Sequence, residues 1–140
     1  MKAVINGLAP DRGLYFPQEK VILSKEFIES IKNIDDVEIC YEVMNKYVGD
    51  EIPKQKLIEI INNTISFKIP LKKIEESIYS LELFHGPTLA FKDIGAKFMA
   101  QCLDYFKSSY SSKKITVLVA TSGDTGGAVA KGFSGTKDIE

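Results

Sequence analysis

The run Ile115-Thr116-Val117-Leu118-Val119-Ala120 passes directly into Thr121-Ser122-Gly123-Asp124-Thr125-Gly126-Gly127, and this junction constrains the fold more than any other feature. A near-continuous apolar run of this length reads as a strand covered on both sides. The glycines and hydroxyls that follow read as a tight turn into a helix over about residues 125–133. Upstream, Ile94, Phe98, Met99, Cys102, Leu103 and Phe106 recur on one face of a helix over about 90–107. Before that, Ile78-Tyr79-Ser80-Leu81-Glu82-Leu83 alternates as a strand. Strand, helix, strand, helix implies a parallel sheet with crossover connections. Another strand is expected at Lys137-Asp138-Ile139-Glu140, so the sheet reads as incomplete.

The first half has a different rhythm. Ser24 is placed to cap a helix through Phe27, Ile28 and Ile31, and Asp35 or Asp36 to open a second along Val37, Ile39, Cys40, Val43, Met44 and Tyr47. Gly49 falls at that helix's end, where a left-handed cap is needed. Pro53 suits the first turn of a third helix carrying Leu57, Ile58 and Ile61. The expected class is therefore α/β, a mostly helical segment over 1–77 followed by the first strand-helix units of a parallel sheet over 78–140.

Composition removes several classes of function. With 18 basic against 19 acidic residues in 140, no basic stripe suggests nucleic acid, and pairs such as Lys72-Lys73 and Lys113-Lys114 read as solvated faces. No apolar run approaches the roughly 18 residues of a membrane span, and Met1-Lys2-Ala3-Val4-Ile5-Asn6-Gly7 lacks a signal peptide's apolar stretch. Cys40 and Cys102 read as reduced core thiols of a cytoplasmic protein, and one histidine with two scattered cysteines makes no metal cluster.

Two segments can carry chemistry. The 121–127 loop lies between a buried strand and a helix start, where free amides and the helix dipole suit a carboxylate or phosphate. It is neither the dinucleotide fingerprint nor the Walker loop. Its plain structural alternative is a turn in which Ser122, Asp124 or Thr125 only caps the helix, and spacing leaves both open. The second segment is Phe84-His85-Gly86-Pro87-Thr88-Leu89-Ala90-Phe91-Lys92-Asp93. Gly86-Pro87 ends the strand, Thr88 offers an N-cap hydroxyl, and Lys92 falls in or near a helix's first turn, where a cation opposes the dipole. A lysine there, beside Leu89 and Phe91, is suited to act as a reactive amine and proton carrier. The alternative is a surface lysine balanced by Asp93, with His85 a loop imidazole that satisfies a backbone group.

Taken together these segments resemble the threonine synthase family. Leu83-Phe84-His85-Gly86-Pro87-Thr88-Leu89-Ala90-Phe91-Lys92-Asp93 is similar to its signature around the cofactor lysine. Ala120-Thr121-Ser122-Gly123-Asp124-Thr125-Gly126-Gly127-Ala128 is similar to its loop facing cofactor and substrate. Asn6-Gly7-Leu8-Ala9-Pro10-Asp11-Arg12-Gly13-Leu14-Tyr15-Phe16-Pro17 resembles its N-terminal segment. The resemblance implies a fold-type II pyridoxal-phosphate enzyme that converts O-phosphohomoserine and water into threonine and phosphate. It makes Lys92 the catalytic and cofactor-binding lysine and places Asp124 against the cofactor. Ser122, Gly123, Thr125 and Gly126 would then face the substrate. Related enzymes often carry Asn where this chain has Asp124.

Family members run to several hundred residues, so the chain reads as an N-terminal fragment, inactive alone, that needs the missing C-terminal part as partner. The phosphate-cradling loop and the group facing the pyridine nitrogen belong to that later part. The rival readings are a dehydratase-like or cysteine-synthase-like enzyme of the same fold type, a non-catalytic anion-binding fragment using only the 121–127 loop, and an interaction fragment with no ligand.

Overall fold

The computed structural model describes residues 2–110, 114–137 and 139–140. Lys113 of the basic pair and Asp138 of the expected last strand therefore lie outside the described residues. The chain divides into two compact units, Met1–Asn62 and Asn63–Glu140.

The first unit follows its capping residues. A short helix α1 (Lys2–Asn6) precedes the irregular stretch that carries Leu14 and Phe16, both exposed. Helix α2 (Lys25–Ser30) starts where Ser24 Oγ accepts from the Phe27 amide at 3.1 Å. Helix α3 (Asp36–Val48) starts where Asp35 accepts from the Val37 and Glu38 amides at 2.9 and 3.0 Å. Each cap satisfies amides that the first turn leaves without helical partners. Gly49 closes α3 at φ 57° and ψ -141°, a positive-φ conformation open to glycine but not the left-handed cap expected of its position. Helix α4 (Lys54–Thr64) opens after Pro53, whose carbonyl accepts from the Leu57 amide at 2.9 Å. Ile52, Leu57, Ile60 and Ile61 are the largest fully buried side chains, at 2% exposure or less.

The second unit departs from the parallel-sheet expectation at its start. The alternating segment does form a strand, β2 (Ile78–Leu81), but it pairs antiparallel with β1 (Leu71–Glu75), a strand the sequence pattern did not reveal. Leu71 faces Leu81 and Lys73 faces Tyr79, with an irregularity between Lys73 and Glu75. The reason is chain length: closing a hairpin through Glu76 and Ser77, with Ser77 at φ 66°, costs far less loop entropy than a crossover. Lys72 and Lys73 lie on this hairpin and are exposed, as expected of a solvated face.

The long helix α5 (Asp93–Tyr110) packs on α6 (Asp124–Phe133) through small residues. Ala90, Ala96 and Ala128 form a buried cluster with Val129 against it. A Cβ on Gly132 would stand 3.0 Å from the Ala96 carbonyl carbon, so the helices approach at close range there. Gly132 meets Ala96 in the first turn of α5, and Lys107 near the end of α5 donates to the Lys137 carbonyl beyond α6, so the two helices run in the same direction. Around α6 the parallel expectation holds in outline. Ile115 bridges Ile139 in parallel, Val117 N–H donates to the Glu140 carbonyl at 2.6 Å, and Glu140 N–H donates to the Ile115 carbonyl at 2.9 Å. The run 115–120 is not covered on both sides among the described residues: Leu118 is 90% exposed and Val119 42%. Mixed helix with a small two-stranded antiparallel sheet and one isolated parallel bridge is thus the observed architecture among the described residues.

Both cysteines are free, Cys40 half-buried on α3 and Cys102 buried on α5. Burial raises the Cys40 thiol, with the Asp36 carboxylate adding to the rise. Burial pushes the Cys102 thiol up to about 11. The folded state holds this thiol neutral. Its contribution to stability is therefore complete below the ordinary thiol range of about 8.5 and is lost as pH rises through the folded value. At pH 8 iodoacetamide should label Cys40 ahead of Cys102, and Cys102 should react only on unfolding. Peptide mass mapping before and after denaturant checks this, and equal labelling in the folded protein would contradict it.

Candidate active site

Lys92 occupies the last position before α5, where its carbonyl accepts the first helical bond, from the Ala96 amide at 2.9 Å. The helix begins at Asp93, three residues later than its apolar periodicity implied. The cause is a pair of tight turns. Leu89 N–H donates to the Gly86 carbonyl at 3.2 Å, and Asp93 N–H donates to the Ala90 carbonyl at 3.0 Å. Leu89 takes φ 63° to join them.

The side chain that organises these turns is Asp93. It is 4% exposed, and its carboxylate accepts from the Thr88 amide at 2.9 Å and the Thr88 hydroxyl at 2.5 Å. A buried carboxylate is tolerated only when such donors replace water. Two expectations are corrected here. Thr88 does not cap the helix: its hydroxyl donates to Asp93, and among the described residues no first-turn amide donates to it. Nor does Asp93 balance Lys92, because its oxygens are turned to Thr88. Gly86 is fixed by the same carboxylate: a Cβ there would lie 2.5 Å from Asp93 Oδ2 and 2.9 Å from the Phe67 ring. Sequence reading had missed this role of Asp93. The available signal was a carboxylate in a helix's first turn with a hydroxyl five residues upstream.

The Lys92 ammonium lies over the Phe91 ring, 4.1 Å from its centroid, and forms no ion pair among the described residues. A cation over an aromatic face keeps a modest electrostatic partner without being neutralised. His85 does not serve a backbone group as expected. Its Nε2 meets a Glu82 carboxylate oxygen at 2.8 Å, and its ring stacks on Phe84 at 4.7 Å.

The 121–127 loop carries the other sequence-predicted residues. Gly123 takes the N-cap position of α6, with no side-chain hydrogen bond to the first turn. Asp124, Thr125 and Gly126 form that first turn, and Ser122 and Asp124 are exposed. The one side-chain bond within the loop comes from Thr121, whose hydroxyl accepts from the Gly123 amide at 3.3 Å. Gly126 lies against the Thr121 methyl, where a Cβ would approach to 2.5 Å. None of Ser122, Asp124 or Thr125 acts as the cap that the plain structural reading required. The helix start keeps its amides and its partial positive charge for an anion.

The two loops belong to one end of the second unit. Ala90, two residues before Lys92, shares the buried cluster with Ala128, two residues after Gly126. Because α5 and α6 run in the same direction, their N-termini point to the same end of the unit, with the lysine at one and the uncapped amides at the other. Among the described residues no cluster of metal-ligating side chains occurs, and no helix is long and apolar enough to cross a membrane.

The chain as a whole is similar to known proteins. Residues 1–65 match the family model described as threonine synthase N terminus. The chain is 45% identical over 138 residues to threonine synthase of Haemophilus influenzae and 40% over 139 residues to that of Escherichia coli. These alignments take in 99% of this chain but only 31% and 32% of those relatives, so the chain spans about a third of their length. A crystal structure of threonine synthase from Escherichia coli superimposes with a TM-score of 0.90 over 99% of this chain and 32% of that one. The structure of PLP-bound threonine synthase from Brucella melitensis gives 0.91 at 35% identity, over 99% of this chain and 31% of that one.

The uncapped start of α6 yields a direct test. Ser122→Ala should change unfolding free energy by no more than about 0.5 kcal/mol, the range of surface substitutions. A true N-cap would lose about 0.5–2 kcal/mol. Urea titration of the folded protein separates the two, and a loss in the upper part of that range would restore the capping reading.

Proposed function

We propose that the chain, which is similar to the N-terminal third of threonine synthases, supplies the cofactor lysine and substrate-facing loop of a pyridoxal-phosphate enzyme. The reaction is conversion of O-phosphohomoserine and water into threonine and phosphate, and the setting is the cytoplasm. Residues 78–140 are taken as the beginning of the cofactor domain. The observation that carries the reading is the Lys92 amine, free of any carboxylate among the described residues, at the same end of the unit as the uncapped α6 start.

These residues fit an amine-reactive, anionic cofactor. Pyridoxal phosphate, when bound, supplies an electron sink for charge that develops on the substrate carbons. Lys92 Nζ would hold the cofactor and would carry protons to and from those carbons. Its neighbour Phe91 shields one side of the amine without fixing its charge. The first-turn amides of α6, with the hydroxyls of Ser122 and Thr125, hold the substrate carboxylate, each charged hydrogen bond contributing about 1.5–3 kcal/mol. Gly123 and Gly126 keep that turn open to close approach. Asp124 stands beside the cofactor as an acceptor.

The enzyme completed with the polypeptide that follows this span in its relatives should yield, after borohydride treatment, cofactor fixed to one peptide containing Lys92. Lys92→Ala should abolish turnover with little change in melting temperature. Cofactor found on Lys97 or Lys107, with Lys92 free, would refute the assignment.

The 140 residues alone should release neither phosphate nor threonine from O-phosphohomoserine. One anion-suited helix start cannot hold both the substrate carboxylate and the cofactor phosphate, and the exposed run around Leu118 leaves the sheet without neighbours. Turnover by a monodisperse preparation of this chain alone would show that the site needs less than this.

A further inference from the structure

We propose that the Thr88–Asp93 clasp is a positioning device for Lys92, fixing where its amine stands by holding the backbone of residues 86–93 in two consecutive turns. The inference rests on the reading of Lys92 as the cofactor lysine.

A lysine is a poor precision tool: four rotatable methylene bonds separate the amine from the backbone. Precision has to come from where the stem is rooted and what it lies on. In this chain the root is over-determined. The Lys92 carbonyl is tied to the Ala96 amide, and the next residue's amide is tied to the Ala90 carbonyl. The carboxylate of that same residue reaches back to both donors of Thr88. The stem then crosses the Phe91 ring, which removes one direction of movement.

Two costs in this loop find no other explanation in the structure. Leu89 adopts φ 63° although its side chain is 72% exposed, so packing does not force the left-handed conformation. Such a conformation costs a non-glycine residue about 1–2 kcal/mol. A carboxylate is also buried at 4% exposure, held by Thr88 and without an ion pair among the described residues. Strain and buried charge persist where surrounding contacts over-determine them, and they concentrate where geometry serves a site. Gly86 completes the device, since any side chain there would collide with Asp93 Oδ2. Thr88, Asp93 and Gly86 touch neither substrate nor cofactor in this reading, so they position and do not react.

The test uses the completed enzyme, with this span joined to the C-terminal two-thirds of Escherichia coli threonine synthase, as unaltered protein, Thr88→Val and Thr88→Ser. Three quantities are read: hydrogen exchange at the Ala96 amide, trace acetylation of Lys92 relative to Lys25 and Lys131 without cofactor, and the fraction of pyridoxal phosphate fixed to Lys92 by borohydride. Thr88→Val should raise Ala96 exchange and lower cofactor fixation by roughly tenfold or more, the scale of one lost bond to a charged group. It should also change the relative acetylation of Lys92 while α6 amides keep their protection, and Thr88→Ser should restore all three. Wild-type exchange and fixation in Thr88→Val would overturn the proposal. So would a uniform loss of protection through α5 and α6, because the clasp would then be an ordinary element of the fold. Fixation on a different lysine in the unaltered protein would instead refute the reading of Lys92 itself.

Discussion

The buried carboxylate of Asp93 is the contact on which the second unit's chemistry depends. It ends one turn, starts the long helix, and engages both donors of Thr88. Remove its satisfaction and a charge remains in a place that water does not reach, which the surrounding structure can relieve only by opening. Everything placed by this loop follows from that constraint: the late start of α5, the left-handed Leu89, and the lysine at the helix mouth. An acidic residue at the first position of a helix is also favoured by the dipole, so the same group that closes the loop stabilises the helix it opens.

Packing of small residues brings the second loop to the first. Ala90, Ala96 and Ala128 bury little apolar area each, but they let α5 and α6 come close and run in the same direction. Larger side chains at these positions would hold the helices apart and separate their N-termini. The consequence is a local field with a consistent sign: two helix starts at one end of the unit, one of them with no side-chain cap. Such a place attracts anions, and a lysine there adds to the attraction.

The unit also carries surface that these residues do not cover. Leu118 and Val119 stand exposed on a segment whose parallel partner is represented only by Ile139 and Glu140. Parallel strands are stable where both faces are covered, so this run is the portion of the fold with least support from its own neighbours. That agrees with a chain spanning about a third of the length of its relatives. The α6 helix is better anchored: Ala128 and Phe133 are buried along it.

Local chemistry was legible in the sequence, and long-range pairing was not. The Ser24 and Asp35 caps and the Gly49 stop involve residues within one turn of each other, so short-range pattern located them. The residue wording around Lys92 and across 121–127 was enough to bring the threonine synthase family into view. The helix after the glycine-rich turn was also readable, but the strand expected before it is reduced to one parallel bridge at Ile115, because covering the run depends on neighbours distant in sequence. The tertiary structure decided what depended on partners. The alternation at 78–81 could not say whether its neighbour would be parallel or antiparallel, and the nearby β1, exposed along its length, carried too weak a pattern to be seen. Thr88 could use its hydroxyl to accept from a helix amide or to donate to a carboxylate, and the burial of Asp93 drew the donated bond. The sequence by itself determined which residues could do the chemistry. Their common end of the unit, and the clasp that holds one of them, came from packing.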